Sequence, residues 1–227
     1  MLGVLVAYYA VTFSLLIVAS YPTLLTPHRL LFKVLTSCGF MALACYFGWM
    51  AGFPKLFWLM LPAFGLCFVG DVFMALTDNA AEGGGWNDKV FLVGVAAFAL
   101  AHLGFIGALT VVQPFSPFEP IVPVCCLMLA VGLTRLPKME TGSLTRFIYV
   151  YAVLVSWLFS KTLVWLLVAG PSAATVMATT GGLLFLLSDM LLLFIYFYQK
   201  KFKPVRFLNL FTYYLAMGLL STLVLLV

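Results

Sequence analysis

Residues 90–112 read VFLVGVAAFALAHLGFIGALTVV, an apolar run whose one ionisable side chain is His102. The run is long enough to cross about 30 Å of hydrocarbon, and it lacks the period-two alternation of a barrel strand. It reads as a transmembrane helix. Comparable runs lie at residues 2–20, 30–50, 56–76, 121–136, 147–168, 174–198 and 207–226. The connections carry breakers: Tyr21-Pro22 and Thr26-Pro27, Gly52-Phe53-Pro54, Gly83-Gly84-Gly85, Gln113 to Pro120, Leu136-Pro137, Gly170-Pro171, and Lys200 to Pro204. The sequence therefore predicts an all-α, polytopic membrane helical bundle with eight transmembrane helices, forming a single domain over residues 1–227.

Composition agrees with this reading. Hydrophobic residues make up 65% of the 227 and charged residues 8%, against about 45–50% and about 25% in a soluble domain. Too little polar material remains to cover a water-soluble globule, and disorder, collagen and a secreted disulfide scaffold are excluded as well. The net charge of +5 does not indicate nucleic acid, because no soluble face exists to carry a basic stripe. The basic residues stand in connections, where they orient helices and meet anionic lipid headgroups. The odd-numbered connections and their flanks hold Arg29, Lys33, Lys89, Arg135, Lys138, Arg146, Lys200, Lys201, Lys203 and Arg206, and the even-numbered ones hold Lys55 alone. The odd connections are expected to be cytoplasmic, with both termini on the other side, in the plasma (inner) membrane if the source is bacterial. The first run lacks the basic n-region and small-residue cleavage site of a signal peptide, and reads as a span. Cys38, Cys45, Cys67, Cys125 and Cys126 show neither metal spacing nor a CxxC pair, and are read as small buried residues.

Ionisable groups inside spans are costly, and each is a functional hypothesis. Asp71, His102, Lys161 and Asp189 qualify, and Lys33 lies near the cytoplasmic end of the second span. At 1.5 Å per residue Asp71 is about 10 Å and Asp189 about 15 Å from their cytoplasmic ends, with His102 and Lys161 about 20 Å deep. These depths allow the two aspartates and His102 to share a cavity open to the cytoplasm, with Lys33 at its mouth. Two carboxyls in a low-dielectric site can divide general acid and base roles between them. The competing reading is structural: a buried aspartate tied to Lys161 or to backbone, and lysines that snorkel to an interface. With only His28 and His102 in the chain, a three-histidine zinc site is impossible, and no Walker A, GxSxG or GxGxxG motif occurs. No metal or cofactor is implied. The Gly83-Gly84-Gly85 run reads as a mobile loop or a lid near Asp71.

The order of motifs resembles the lysoplasmalogenase family of YhhN-like membrane proteins. The residues that carry the resemblance are Leu31-Phe32-Lys33, Val69-Gly70-Asp71, Phe91-x-x-Gly94, and Ala97-Phe98-x-x-Ala101-His102. They continue with Tyr151, Lys161, Gly182-x-Leu184-Phe185-x-x-Ser188-Asp189, and Thr212-Tyr213-Tyr214-x-Ala216. The sequence departs from the family pattern at Phe105, Val34 and Thr36, Ile195 and Met217. The resemblance implies hydrolysis of the vinyl ether of a lysoplasmalogen, a lysophospholipid substrate, to a fatty aldehyde and a glycerophospho-ethanolamine or -choline. Asp71 and Asp189 would act as acid and base, and His102 would tune them or shuttle the proton. Lys33 and Lys161 would contact phosphate, with Tyr151, Ser188, Tyr213 and Tyr214 as further substrate-binding candidates. A proton-coupled transporter, which also places acidic groups and a histidine at depth, a lipid-binding protein, and a hydrolase of another lipid are the alternatives.

Overall fold

The computed structural model describes residues 1–82, 88–199 and 203–227. Among these residues the chain forms eight α-helices and no strand: α1 (Leu2–Ala19), α2 (Arg29–Met50), α3 (Lys55–Glu82), α4 (Asp88–Leu109), α5 (Ile121–Thr134), α6 (Thr145–Ala169), α7 (Ala173–Phe197) and α8 (Lys203–Leu226). The all-α reading holds. The Gly83-Gly84-Gly85 run, Lys200 and Lys201 lie outside the described residues.

The largest departure from the sequence reading is in α3, and the shortest helix is α5. Helix α3 runs on past residue 76 to Glu82, so Asp71 stands about 16 Å from the helix end rather than about 10 Å. Helix α5 has only 14 residues, a length of about 21 Å against a hydrocarbon thickness of about 30 Å. Seven helices of the described residues are long and apolar enough to cross a membrane, and α5 is the short one. Pro120 caps its start and Arg135 its end, with Pro137 just beyond forbidding continuation.

The chain divides into two compact units, residues 1–105 and 106–227. Within the first, α1 packs on α2 and α2 on α3, and α3 meets α4 through small residues. A Cβ at Gly70 would lie 2.7 Å from the Phe98 ring, and one at Gly104 would lie 3.0 Å from the Ala63 Cβ. The Phe64 and Phe105 rings meet edge-on at 5.0 Å in this core. Within the second unit α5 packs on α6, α6 on α7 and α7 on α8.

The turns explain the antiparallel order. Gly52 (φ 72°) and Phe53 (φ 55°) reverse the chain before Pro54, and Gly170 (φ 81°) ends α6 before Pro171. Ser172 then caps α7: its hydroxyl accepts from the Thr175 amide at 3.2 Å, while the Ser172 amide donates to Thr175 Oγ1 at 2.8 Å. Such short links leave successive helices no choice but to lie side by side.

Polarity is arranged as a membrane protein requires. Leu100 and Leu103 on α4 are 53% and 48% exposed while His102 between them is at 0%, so the apolar face looks outward to lipid and the polar group inward. The cysteines depart from expectation. Only Cys67 is buried, and Cys38, Cys45 and Cys125 are exposed free thiols. A thiol is compatible with hydrocarbon, so a lipid-facing position costs it little.

Helices α6 and α7 approach closely at Gly182, where a Cβ would meet Thr162 Oγ1 at 2.8 Å and the Phe159 Cα at 3.2 Å. Gly182→Leu is expected to destabilise the detergent-purified protein by about 1–3 kcal/mol through overpacking. Gly107→Leu, at a site with nothing within 4 Å, is expected to leave thermal unfolding unchanged. Equal shifts for the two variants would contradict the packing described.

Candidate functional site

In the first unit the polar groups form a ladder between two antiparallel helices. Arg29, Lys33 and Ser37 recur every four residues and share one face of α2, opposite Asp78 and Asp71 on α3. Arg29 reaches Asp78 at 3.9 Å, and Lys33 Nζ lies 3.6 Å from Asp71 Oδ1. Ser37 Oγ donates to Asp71 Oδ2 at 2.6 Å. Asp71 is 1% exposed, so Ser37 and Lys33 stand where water would otherwise meet its carboxyl group.

His102 belongs to the same unit. Its Nδ1 lies 2.8 Å from the Phe98 carbonyl, and because a carbonyl only accepts, Nδ1 carries the proton and the neutral ring's lone pair sits on Nε2. The Gly-Asp and Phe-x-x-Ala-His motifs share a physical basis here. Gly70 admits the Phe98 ring, and Phe98 in turn anchors His102. Pairing Gly70 with Phe98 and Ala63 with Gly104 sets the register of α3 on α4. It puts His102 five residues deeper than Asp71, about 8 Å along the axis.

The second unit holds two separate arrangements. In one, Lys161 Nζ binds Glu119 Oε1 at 2.9 Å, Trp157 Nε1 donates to Glu119 Oε2 at 3.0 Å, and Ser160 Oγ donates to the Glu119 carbonyl at 2.6 Å. The Ser116 amide adds a further bond to Glu119 Oε1 at 3.1 Å. Glu119 and Lys161 are 0% and 1% exposed. Lys161 thus has a carboxylate partner that sequence reasoning did not select.

The other arrangement is a cavity bounded by α5, α6 and α7. Helix α5 contributes Cys126, Leu129, Ala130 and Leu133; α6 contributes Ile148, Tyr151, Ala152 and Val155. Helix α7 contributes Leu186, Asp189, Met190 and Leu193. Each set follows the same i, i+3, i+4, i+7 spacing, so the cavity runs along two turns of every helix, about 10 Å. Its wall is apolar apart from Tyr151 and Asp189, the form of a site for a hydrocarbon chain with few, placed polar groups.

The remaining candidates are placed as follows. Ser188 is bound to Asn209 of α8: Asn209 Nδ2 donates to the Ser188 carbonyl at 2.8 Å, and Ser188 Oγ donates to the Asn209 carbonyl at 3.2 Å. Tyr213 packs edge-on against Phe185 at 5.5 Å and against Tyr214 at 4.9 Å, inside the α7–α8 seam. Of the predicted residues, Lys33, Asp71 and His102 belong to the first unit, and Tyr151, Lys161, Ser188, Asp189, Tyr213 and Tyr214 to the second. Sequence reasoning missed Ser37, Arg29, Asp78, Glu119 and Asn209. The four-residue spacing of Arg29, Lys33 and Ser37 was a signal for the ladder.

The Glu119–Lys161 pair makes a sharp expectation. Lys161→Met strands a buried carboxylate and should lower stability by about 3–5 kcal/mol. Adding Glu119→Leu should recover part of that loss, read as thermal unfolding in detergent. A double variant as unstable as the sum of both single variants would show that the two residues are not coupled.

Compared with known protein families, the chain matches the YhhN family over residues 28–224, a stretch that takes in Lys33, Asp71, His102, Tyr151 and Asp189. No curated protein and no solved structure matched it. With seven apolar helices of spanning length and a family match over most of its residues, this integral membrane protein belongs to the YhhN family.

Proposed function

We propose that this protein is an intramembrane lipid hydrolase that cleaves the vinyl ether of lysoplasmalogens. The products are a fatty aldehyde and a glycerophospho-ethanolamine or -choline. One observation carries the reading: a carboxyl, Asp189, lines an otherwise apolar cavity beside Tyr151. Membership of the YhhN family is consistent with a membrane hydrolase of this type. The proposal includes the orientation given by the basic connections, with both termini away from the cytoplasm.

The chemistry suits such a site. A vinyl ether is hydrolysed by protonation at its β-carbon, which leaves an oxocarbenium ion. Water adds to the cationic carbon, and the resulting hemiacetal collapses to aldehyde and free glycerol hydroxyl. One water is consumed and no electrons are transferred. The step needs an acid that reaches carbon and an anion that stabilises the cation and directs water. In this proposal Asp189 supplies both roles in turn. It is the donor, because its cavity is the one that suits the alkenyl chain, and the carboxylate left by proton transfer is the anion that stabilises the cation and directs water. Asp71 and His102, buried in the first unit, take no step in it. Lys161 serves as the tie to Glu119.

Purified protein should release fatty aldehyde from lysoplasmenylethanolamine and none from the saturated ether analogue. Asp189→Asn should cut turnover by about 100-fold or more while the protein stays inserted and folded. Full activity in that variant would remove Asp189 from the mechanism. Absence of aldehyde with folded wild-type protein would overturn the substrate assignment.

A further inference from the structure

We propose that Arg135 and Arg146 form a phosphate clamp at the basic end of the α5–α6–α7 cavity, which makes its ligand a single-chain glycerophospholipid. The inference rests on reading that cavity as the lipid site, and it adds the residues that hold the headgroup.

Sequence position and geometry agree on the placement. Arg135 caps α5 two residues beyond Leu133, and Arg146 stands at the start of α6 two residues before Ile148. Leu133 and Ile148 both line the cavity. Thr134 Oγ1 and Tyr149 OH are hydrogen-bonded at 2.8 Å, which locks the end of α5 beside the beginning of α6. Both arginines are exposed, and among the described residues neither is held in a salt bridge. The acidic side chain of the same connection, Glu140, is instead held by Gln199 at 2.5 Å. Three of the other basic groups are committed elsewhere, Lys161 to Glu119, Lys33 to Asp71 and Arg29 to Asp78, and Lys138 of the same connection carries no guanidinium fork. Two uncommitted guanidinium groups at the mouth of an apolar cavity suit a phosphate, which accepts their paired N–H donors in bidentate fashion.

The spacing then selects the lipid. Thr179 Oγ1 donates to the Thr162 carbonyl at 2.8 Å, and Gly182 lies against Phe159. This register brings Asp189 level with Ala152. Through the Thr134–Tyr149 contact the same level falls within a residue of Ala130. From it, Arg135 is about 6 Å and Arg146 about 9 Å toward the mouth. In a 1-alkenyl lysophospholipid seven bonds separate phosphorus from the vinyl β-carbon, about 8 Å at the rise per bond of an extended chain. A phosphate held by the two arginines therefore sets the reactive carbon at the depth of Asp189, with the rest of the chain running past Leu186 and Cys126. A neutral alkenyl glycerol lacks the anchor and has no fixed depth.

The test is binding, independent of turnover. Full-length protein in maltoside detergent is titrated with 1-O-hexadecyl-lysophosphoethanolamine, a saturated ether that cannot be cleaved, and with 1-O-hexadecylglycerol, read by native mass spectrometry. The expected result is at least a 10-fold preference for the phospholipid. Arg135→Gln with Arg146→Gln should remove that preference and leave alkylglycerol binding unchanged. The Arg135→Lys, Arg146→Lys pair keeps the charge that orients the helices and should lose a part of the preference. Equal affinity of the wild type for the two ligands, or an unaltered preference in the glutamine variant, overturns the clamp. Binding through the arginines without vinyl ether cleavage supports the clamp and overturns the hydrolase reading instead.

Discussion

Charges buried in a hydrocarbon setting must find their counter-groups inside the protein, and the arrangement of this chain follows from that constraint. Glu119 and Lys161 satisfy it most completely. The pair is joined at 2.9 Å, Trp157 and Ser116 donate further hydrogen bonds to the Glu119 carboxylate, and Ser160 donates to the Glu119 backbone carbonyl. A connecting segment bounded by prolines is thereby fastened to α6 deep in its packed face. The Arg29–Asp78 and Lys33–Asp71–Ser37 contacts do the same for α2 and α3. Because each is satisfied from the neighbouring helix, each also fixes the register of one helix on the next, and that register places Asp71 and His102 at their depths.

Much of this was legible in the sequence. Eight apolar runs with Pro and Gly breakers became eight helices, and the ionisable residues singled out within them lie buried. Asp71, His102, Lys161 and Asp189 are all under a tenth exposed. The boundaries were less legible. Hydropathy ends a span where polar residues begin, yet α3 continues through Thr77 and Asp78 because Arg29 pairs with that last part of the helix. Glu119 was missed because Ser116-Pro117-Phe118-Glu119-Pro120 has the composition of a solvated loop, and nothing local signals that it folds against α6. Ser37 was missed because a serine in a membrane helix usually bonds back to its own backbone.

The cavity was illegible for a different reason. In a soluble helix the residues at i, i+3, i+4 and i+7 stand out against polar neighbours, but a membrane helix is apolar on every side. Leu133 on α5, which lines the cavity, is as apolar as the outward-facing Val124 and Met128, 54% and 63% exposed. Only the packing of α5 against α6, and of α6 against α7, distinguishes wall from exterior. The short length of α5 was already visible: the run 121–136 is the shortest of the eight in the sequence, and the helix ends two residues earlier, at Thr134. The YhhN motifs, in contrast, have plain physical causes in this fold. Glycine stands before Asp71 because Phe98 occupies the space of a side chain, and Phe98 also supplies the carbonyl that orients His102.

The central claim is that an intramembrane carboxyl protonates a carbon of the lipid and that water attacks the cation so formed. Turnover of a lysoplasmalogen in deuterated, oxygen-18-labelled water tests it most directly, with aldehyde and glycerophospholipid analysed by mass spectrometry after rapid trapping. The account predicts one deuterium at C2 of the aldehyde and no oxygen-18 in the glycerol hydroxyl that is released. Oxygen-18 in that hydroxyl, or an aldehyde without deuterium at C2, would contradict it.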